Sequence, residues 1–448
     1  MYKALNIVAS ICLITIGLSA CGGGGDQTAT ISPDTPQEAN NDCFWQGPYV
    51  VENPKTNFAY PDTGSTYWNA KYTLPEGNSL KLKGDFPYSR YMSINSYNTD
   101  TTPADSISDG AIIPNQGNTN PFIDGNLRNN PNRAYTLNLA AGKVPTDGRL
   151  ANTIYDATQT GESAVLIYRV YVPNKGKNMK GGVKFPQVEL TTRQGEVLTG
   201  EAACKALNAS NEIPSIPLIP ADTYAKARAA FNPAKEKPVW RASYTIAFSL
   251  QCDFLGICDT NPTKGIAYYA NLDNQYIASS VDRNIKPIVV IRGKIPTVPK
   301  TLNGEEHFNS KNTQLRYWSM CQNEFYSQKV TSCLFDEEID INPDGKYTIV
   351  TSLPEDRPKN ATKECGVGYL KWSDKGDGFS IVNGREDHKT DGRLIVRNML
   401  PSTNFHNAIQ NTQTPGDESQ IMGDYLPDST YYTKEEFEAL GCNPSQKM

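Results

Sequence analysis

SAVLIYRVYVP, Ser163 to Pro173, is the stretch on which the fold turns. Leu166, Tyr168, Val170 and Val172 alternate onto one face of a strand, and Val165, Ile167, Arg169 and Tyr171 onto the other. Both faces are largely apolar, so the strand has to be covered on both sides, with one arginine set into its interior. The pattern returns 228 residues later, where LIVRNMLP, Leu394 to Pro401, repeats Leu, Ile, Arg and Pro in register.

Other blocks repeat in the same order. Tyr67 is followed seventeen residues later by Gly84 in KGDFP, and Tyr276 seventeen residues later by Gly293 in RGKIP. RYMS, Arg90 to Ser93, returns as RYWS, Arg316 to Ser319, and AYTL at Ala134 to Leu137 returns as KYTI at Lys346 to Ile349. GEAAC and FEALGC end in Cys204 and Cys442. Offsets between 209 and 238 residues, in one order, imply a tandem duplication. The expected fold is all-β with minor helix, as two tandem β-sandwich-like domains. The expected limits are a leader over 1–20, a tether over 21–41, a first β domain over 42–204, a connector over 205–262, a second β domain over 263–442 and a tail over 443–448. Within the connector, ADTYAKARAAF at Ala221 to Phe231 has the alanine-rich content of a helix.

The leader MYKALNIVASICLITIGLSAC carries one cation, Lys3, then an apolar run from Ala4 to Leu18, and is too short to be a stable span. Leu18-Ser19-Ala20-Cys21 resembles the bacterial lipobox, which implies cleavage before Cys21 and a lipid on its sulfur. Gly22 to Gly25 and DQTATISPDTPQEANND lack an apolar period and read as a tether with a reach of roughly 25 Å. The expected location is the cell envelope, with the chain anchored by lipid; resemblance to enterobacterial lipoproteins implies the outer membrane, since Gly22 is not aspartate.

Cysteine usage fits that compartment. Leaving out Cys12 and Cys21, eight of the ten cysteines remain: Cys43, Cys204, Cys252, Cys258, Cys321, Cys333, Cys365 and Cys442. An even number in an exported chain implies disulfides, and short loops favour Cys252 with Cys258 and Cys321 with Cys333. No CxxC pair and no Cys/His cluster occurs in the sequence, so no metal site and no cofactor are expected. The formal charge of −5 becomes −6 without Lys3, too mild for a nucleic-acid partner. The 24 tyrosines and plentiful Gly and Pro suit many short strands joined by turns.

TYWNAKYTLPEG, GDFPYSRYMSINSYN, LIYRVYVPNKGKNMKGGV, LRYWSMC and PEDRPKNATKECGVGYL resemble an uncharacterised family of exported bacterial proteins, over about Asn41 to Cys442. The resemblance implies a duplicated β architecture and export, and no chemistry.

Motifs for chemistry are scarce. His307, His388 and His406 lie far apart in sequence, and His406, just after RNMLP, is the weak catalytic candidate. DINPDG, Asp340 to Gly345, opens like a calcium loop but has Thr351 where the bidentate glutamate belongs, so a turn into a strand explains it better. GDG at Gly376 to Gly378 also reads as a turn. Arg90, Arg169, Arg316 and Arg397 sit in apolar strands and must find carboxylates or carbonyls, with Asp356 one nearby acid. They form either buried structural ion pairs or an anion pocket between the repeats, with Tyr91 and Trp318 beside them. Trp68, Trp318 and Trp372 serve either core packing or a sugar-stacking platform. The expected role is binding, through the inter-domain interface, of a small molecule, a glycan or an envelope protein. The alternative is an exported hydrolase with an unfamiliar site at that interface.

Overall fold

The computed structural model describes residues 42–159, 161–210, 212, 216, 218–230, 234–244, 264 and 268–448, all within the compact unit Asn40–Met448. Cys21, Cys252 and Cys258 lie outside the described residues.

Four sheets carry the fold. The first has the order β1 (Gln46–Tyr49), β2 (Ser65–Thr73), β8 (Ser163–Pro173), β4 (Ser89–Tyr97), β5 (Pro103–Ser108). The second has β10 (Val197–Thr199), β9 (Gln187–Thr191), β3 (Ser79–Asp85), β6 (Ala134–Ala140), β7 (Thr153–Tyr155). In the third run β11 (Arg241–Ala242), β12 (Asn274–Asp282), β18 (Asp391–Met399), β14 (Tyr317–Asn323), β15 (Val330–Phe335), and in the fourth β17 (Gly368–Lys371), β16 (Lys346–Ser352), β13 (Ile288–Lys294), β19 (Asp428–Tyr432). The helices are short: α1 (Gly200–Ala206), α2 (Ala221–Ala230), α3 (Phe379–Asn383), α4 (Glu418–Met422) and α5 (Lys434–Glu438).

Strand order is the same in the two domains, with β1 to β9 matched by β11 to β19. Arg169 pairs with Tyr67 and Ser93, and Arg397 pairs with Tyr276 and Ser319, in the same registers. Each domain is a sandwich. Leu166, Tyr168 and Val170 of β8 face Leu82, Leu137 and Leu190 of the second sheet in one core. Leu394 and Val396 of β18 face Val289, Ile291 and Ile349 in the other. The opposite faces of β8 and β18 meet: Tyr91, Tyr171, Tyr317, Phe335 and Met399 form an apolar cluster between the domains. This stacking explains why SAVLIYRVYVP is apolar on both faces.

The second domain starts earlier than its sequence suggests. Strand β11, the counterpart of β1, comes from the 205–262 connector, and Trp240, Ala242 and Tyr244 join the second core. At the other end, the 443–448 tail packs back, with the Ser445 and Met448 carbonyls accepting from Arg292. Glycine is needed where the repeat places it. A Cβ on Gly84 would lie 2.8 Å from the Tyr135 ring, and one on Gly293 2.7 Å from Tyr347 Oη. Each tyrosine stands directly opposite its glycine on the neighbouring strand. DINPDG is a turn: Gly345 has φ +76° and β16 starts at Lys346.

Among the described residues three disulfides form. Cys43–Cys204 ties the start of the first domain to α1, Cys365–Cys442 ties the second domain to the segment after α5, and Cys321–Cys333 joins opposed positions of β14 and β15.

Candidate functional site

The repeated arginines meet at the seam between the domains, and their contacts are reciprocal. Arg90 Nη1 donates to both oxygens of Asp336 at 2.6 and 2.7 Å, Nη2 donates to Glu337, and Nε donates to Thr301 Oγ1 at 3.0 Å. In the opposite direction Arg316 Nη1 donates to Asp109 Oδ1 at 2.9 Å. Tyr91 Oη donates to Asp273 at 2.6 Å while Tyr317 Oη donates to Asp62 at 2.9 Å. Arg169 and Arg397 each donate across the seam to a tyrosine carbonyl, of Tyr269 and Tyr60, both at 2.7 Å. These two tyrosines both have positive φ, 59° and 55°. Burial alone would lower Arg90, but Asp336 and Glu337 outweigh it and hold the guanidinium charged. The acids that meet these arginines are not Asp356 but Asp336 and Glu337 at Arg90, Asp109 at Arg316 and Asp62 at Arg397, while Arg169 is held by Asn95, Tyr97 and the Tyr269 carbonyl.

The seam therefore brings Arg90, Tyr91, Arg169, Arg316 and Arg397 together, saturated by one another's domain. Trp318 is elsewhere, 2% exposed in the second core, and Trp68 and Trp372 are buried likewise. His406 is exposed in the loop after β18. One asymmetry stands out at the seam: Arg169 Nη1 donates to Asn95 Oδ1, whereas Arg397 Nη1 donates to Cys321 Sγ of the cross-strand disulfide.

A recess lies at the long β17–β18 link of the second domain. The link from β7 to β8 covers seven residues, 156–162, but its counterpart from β17 to β18 covers nineteen, 372–390. That longer link contains GDG and α3. Gly376 and Gly378, at φ +64° and +80°, let the chain approach His388 and the Glu324–Ser327 turn too closely for a Cβ. Asp377 is thereby fixed between them, its carbonyl accepting from Tyr326 N at 2.8 Å and its Oδ1 from Phe379 N at 2.9 Å. Asp391, at the start of β18, lies close by, with His388 Nδ1 3.8 Å from its Oδ2.

Helix α2 closes one side. Tyr224 stacks on Phe379 at 5.4 Å, meets Tyr326 edge-on at 4.6 Å, and donates its hydroxyl to Asp377 Oδ2 at 2.7 Å. Arg228, one turn on, donates through Nη2 to Asp391 Oδ1 at 2.5 Å and through Nε to Oδ2. Tyr224, Arg228, Ser280, Phe325, Asp377 and Asp391 line a small recess. Burial pushes the Asp377 carboxyl up to about 6, against the Tyr224 hydrogen bond. Burial, and then Arg228, lowers His388. Asp377, His388 and Asp391 have the donor types and closeness for a metal ion. However, Arg228 already takes both oxygens of Asp391, so a cation there would have to displace the guanidinium.

Reading for catalytic motifs passed over this recess, because a GDG turn, a histidine and a strand-initial aspartate carry no motif together. The usable signal was the extra length between LKW and GRLIVR, where the two repeats differ.

No protein-family model and no curated protein matches the sequence. Among solved structures, an uncharacterised protein from Burkholderia cenocepacia is similar at a TM-score of 0.44 and 11% identity, over 88% of this chain and 83% of that one. A protein from Vibrio parahaemolyticus is similar at a TM-score of 0.38 and 11% identity, over 84% of this chain and 90% of that one.

Proposed function

We propose that this chain is a lipid-anchored protein of the bacterial cell envelope that binds a partner or ligand at the recess of its second domain and does no chemistry. The observation that carries the binding reading is the pair of buried carboxylates, Asp377 and Asp391, that line one recess of the second domain. The seam, by contrast, pairs Arg90, Arg316 and Arg397 with acids of the opposite domain and holds Arg169 through Asn95, Tyr97 and the Tyr269 carbonyl, so its arginines belong to the scaffold. We also infer that the domains descend from a tandem duplication; the shared strand order supports this, and a scaffold copied twice needs only one working site.

The leader with Leu18-Ser19-Ala20-Cys21 supports lipid attachment, and the three disulfides suit an oxidising compartment. Cys21→Ala tests this: the variant is expected to lose labelling by a palmitate analogue and to leave the membrane fraction, and persistent labelling would refute it. Binding is tested by thermal shift with agmatine, a small guanidinium probe. Stabilisation that vanishes in Asp377→Asn/Asp391→Asn supports the recess, and none in either protein opposes it. A second reading, an exported hydrolase, draws on Asp377, whose raised carboxyl could hold a proton near neutral pH.

A further inference from the structure

We propose that the loop after β8, residues 174–186, seats the first domain on the anionic headgroups of the membrane that holds the chain's lipid. The inference rests on the lipid-anchor reading and adds the surface by which the folded part meets the bilayer.

NKGKNMKGGVKFP, Asn174 to Pro186, holds four lysines and no acid in thirteen residues. Its counterpart after β18, residues 400–427, holds no lysine or arginine and three acids, Asp417, Glu418 and Asp424. One domain carries +4 where the other carries −3 on the same strand order, so the fold itself does not require the cations.

The loop has a defined shape. Asn174 N donates to the Tyr88 carbonyl at 2.8 Å, and Tyr88 N donates to the Gly181 carbonyl at 2.9 Å. A Cβ on Gly181, at φ +68°, would lie 2.7 Å from Pro87, so this close approach needs glycine. At the tip Asn178 Oδ1 accepts from Lys180 N and Gly182 N, at 3.1 and 3.0 Å. Lys175, Lys177 and Lys184 are exposed and among the described residues meet no carboxylate, whereas Lys71 and Lys83 of the same domain pair with Glu212 and Glu189. Between them Met179 is 48% exposed, an apolar side chain placed to enter a headgroup layer.

The tether joins the fold beside this loop. It enters at Asp42, whose Oδ1 accepts from Phe44 N and Trp45 N, both at 2.9 Å. Trp45 Nε1 donates to the carbonyl of Pro186, the last residue of the loop, at 2.7 Å, and Gln187 Nε2 reaches Asp42 Oδ2 at 3.5 Å. The Cys43–Cys204 disulfide fixes the same point. A lipid on Cys21 would therefore keep the lysine side of the first domain within roughly 25 Å of the bilayer. Each lysine close to an anionic surface favours it by about five-fold, over about a Debye length, so the anchor supplies the proximity that the loop needs.

The test uses the mature chain from residue 21 with Cys21→Ser, which carries no lipid. It is sedimented at low salt with vesicles of phosphatidylglycerol and phosphatidylcholine in equal parts, or of phosphatidylcholine alone. Partitioning onto the anionic vesicles is expected to exceed that onto the neutral ones at least about ten-fold. Lys175→Gln/Lys177→Gln/Lys184→Gln should abolish the preference, and Lys175→Arg/Lys177→Arg/Lys184→Arg should keep it. Lys359→Gln/Lys363→Gln/Lys371→Gln, an equal loss of charge from exposed lysines of the second domain, should leave it unchanged. Should the loop variant fail to fold, about 0.5 M salt on the otherwise unaltered chain should remove the preference instead. No preference for anionic vesicles, or equal losses in the two glutamine variants, would overturn the proposal. Binding to soluble polyphosphate with none to anionic vesicles would also overturn it and give the loop to an anionic polymer. Palmitate labelling separates the two levels. If the wild type is labelled through Cys21 and the vesicle preference is absent, the anchor stands and the loop falls. Preference without labelling removes the anchor and leaves the loop as a membrane contact in its own right.

Discussion

Arg90→Met removes the guanidinium that faces Asp336 and Glu337 across the seam. The side chain is 0% exposed and Asp336 1%, so neither carboxylate gains water in exchange. Breaking a buried pair by deleting one partner costs about 3–5 kcal/mol. Here Asp336 Oδ2 keeps a hydrogen bond from Trp318 N, and Glu337 keeps those from Thr301 N and Leu302 N. That residual support puts the expected loss near the lower end, about 3 kcal/mol at pH 7. The loss must depend on pH. Burial raises the Asp336 carboxyl and Arg90 opposes that rise, so without Arg90 it rises further. A carboxyl raised in the folded state stabilises the fold when protonated, an effect lost as pH climbs through the folded value; the deficit of the variant should therefore shrink from pH 7 toward pH 4. Urea denaturation at several pH values reads both quantities. Arg316→Met, whose side chain is 11% exposed and meets a single carboxylate, should lose less. A cost for Arg90→Met below about 1 kcal/mol, the range of surface pairs, or one that stays flat with pH, would refute the seam as described.

Other outcomes follow from the same contacts. Asp377 is raised from 3.8 to about 6 in the folded protein, so its protonated form favours the fold below pH 4 and that contribution disappears as pH passes 6. Asp377→Asn should therefore gain on the wild type between pH 4 and 7, by up to about 3 kcal/mol, in urea titrations at both pH values. Gly84→Ala and Gly293→Ala should each cost about 1–3 kcal/mol by forcing Tyr135 or Tyr347 off its strand neighbour, and calorimetry that finds either neutral would contradict the close approach. Replacing Cys43 and Cys204, 161 residues apart, should lower the denaturation midpoint more than replacing Cys321 and Cys333, twelve apart; loop-closure entropy assigns about 5 and 3 kcal/mol to them.

Much of the architecture is written locally. Alternation in SAVLIYRVYVP and LIVRNMLP marked two central strands, and their two apolar faces required a layer on either side. The recurring glycine, proline and Arg-Tyr positions set two equivalent domains, because a Tyr packed over a Gly on the next strand leaves the same trace wherever it occurs. What the second layer over each central strand would be could not be read, since an apolar face does not name its partner. Only the tertiary structure decided that the two domains cover each other, and that Arg90, Arg316 and Arg397 face acids of the opposite domain rather than Asp356. Arg90 and Asp336 are 246 residues apart, a pairing that charge alone leaves open. The recess was hidden for the same reason: Tyr224, Asp377 and Asp391 lie on a connector helix, a turn and a strand end, and only folding sets their polar groups around one space. Periodicity fixes which face of a strand is buried; long-range packing alone fixes what buries it.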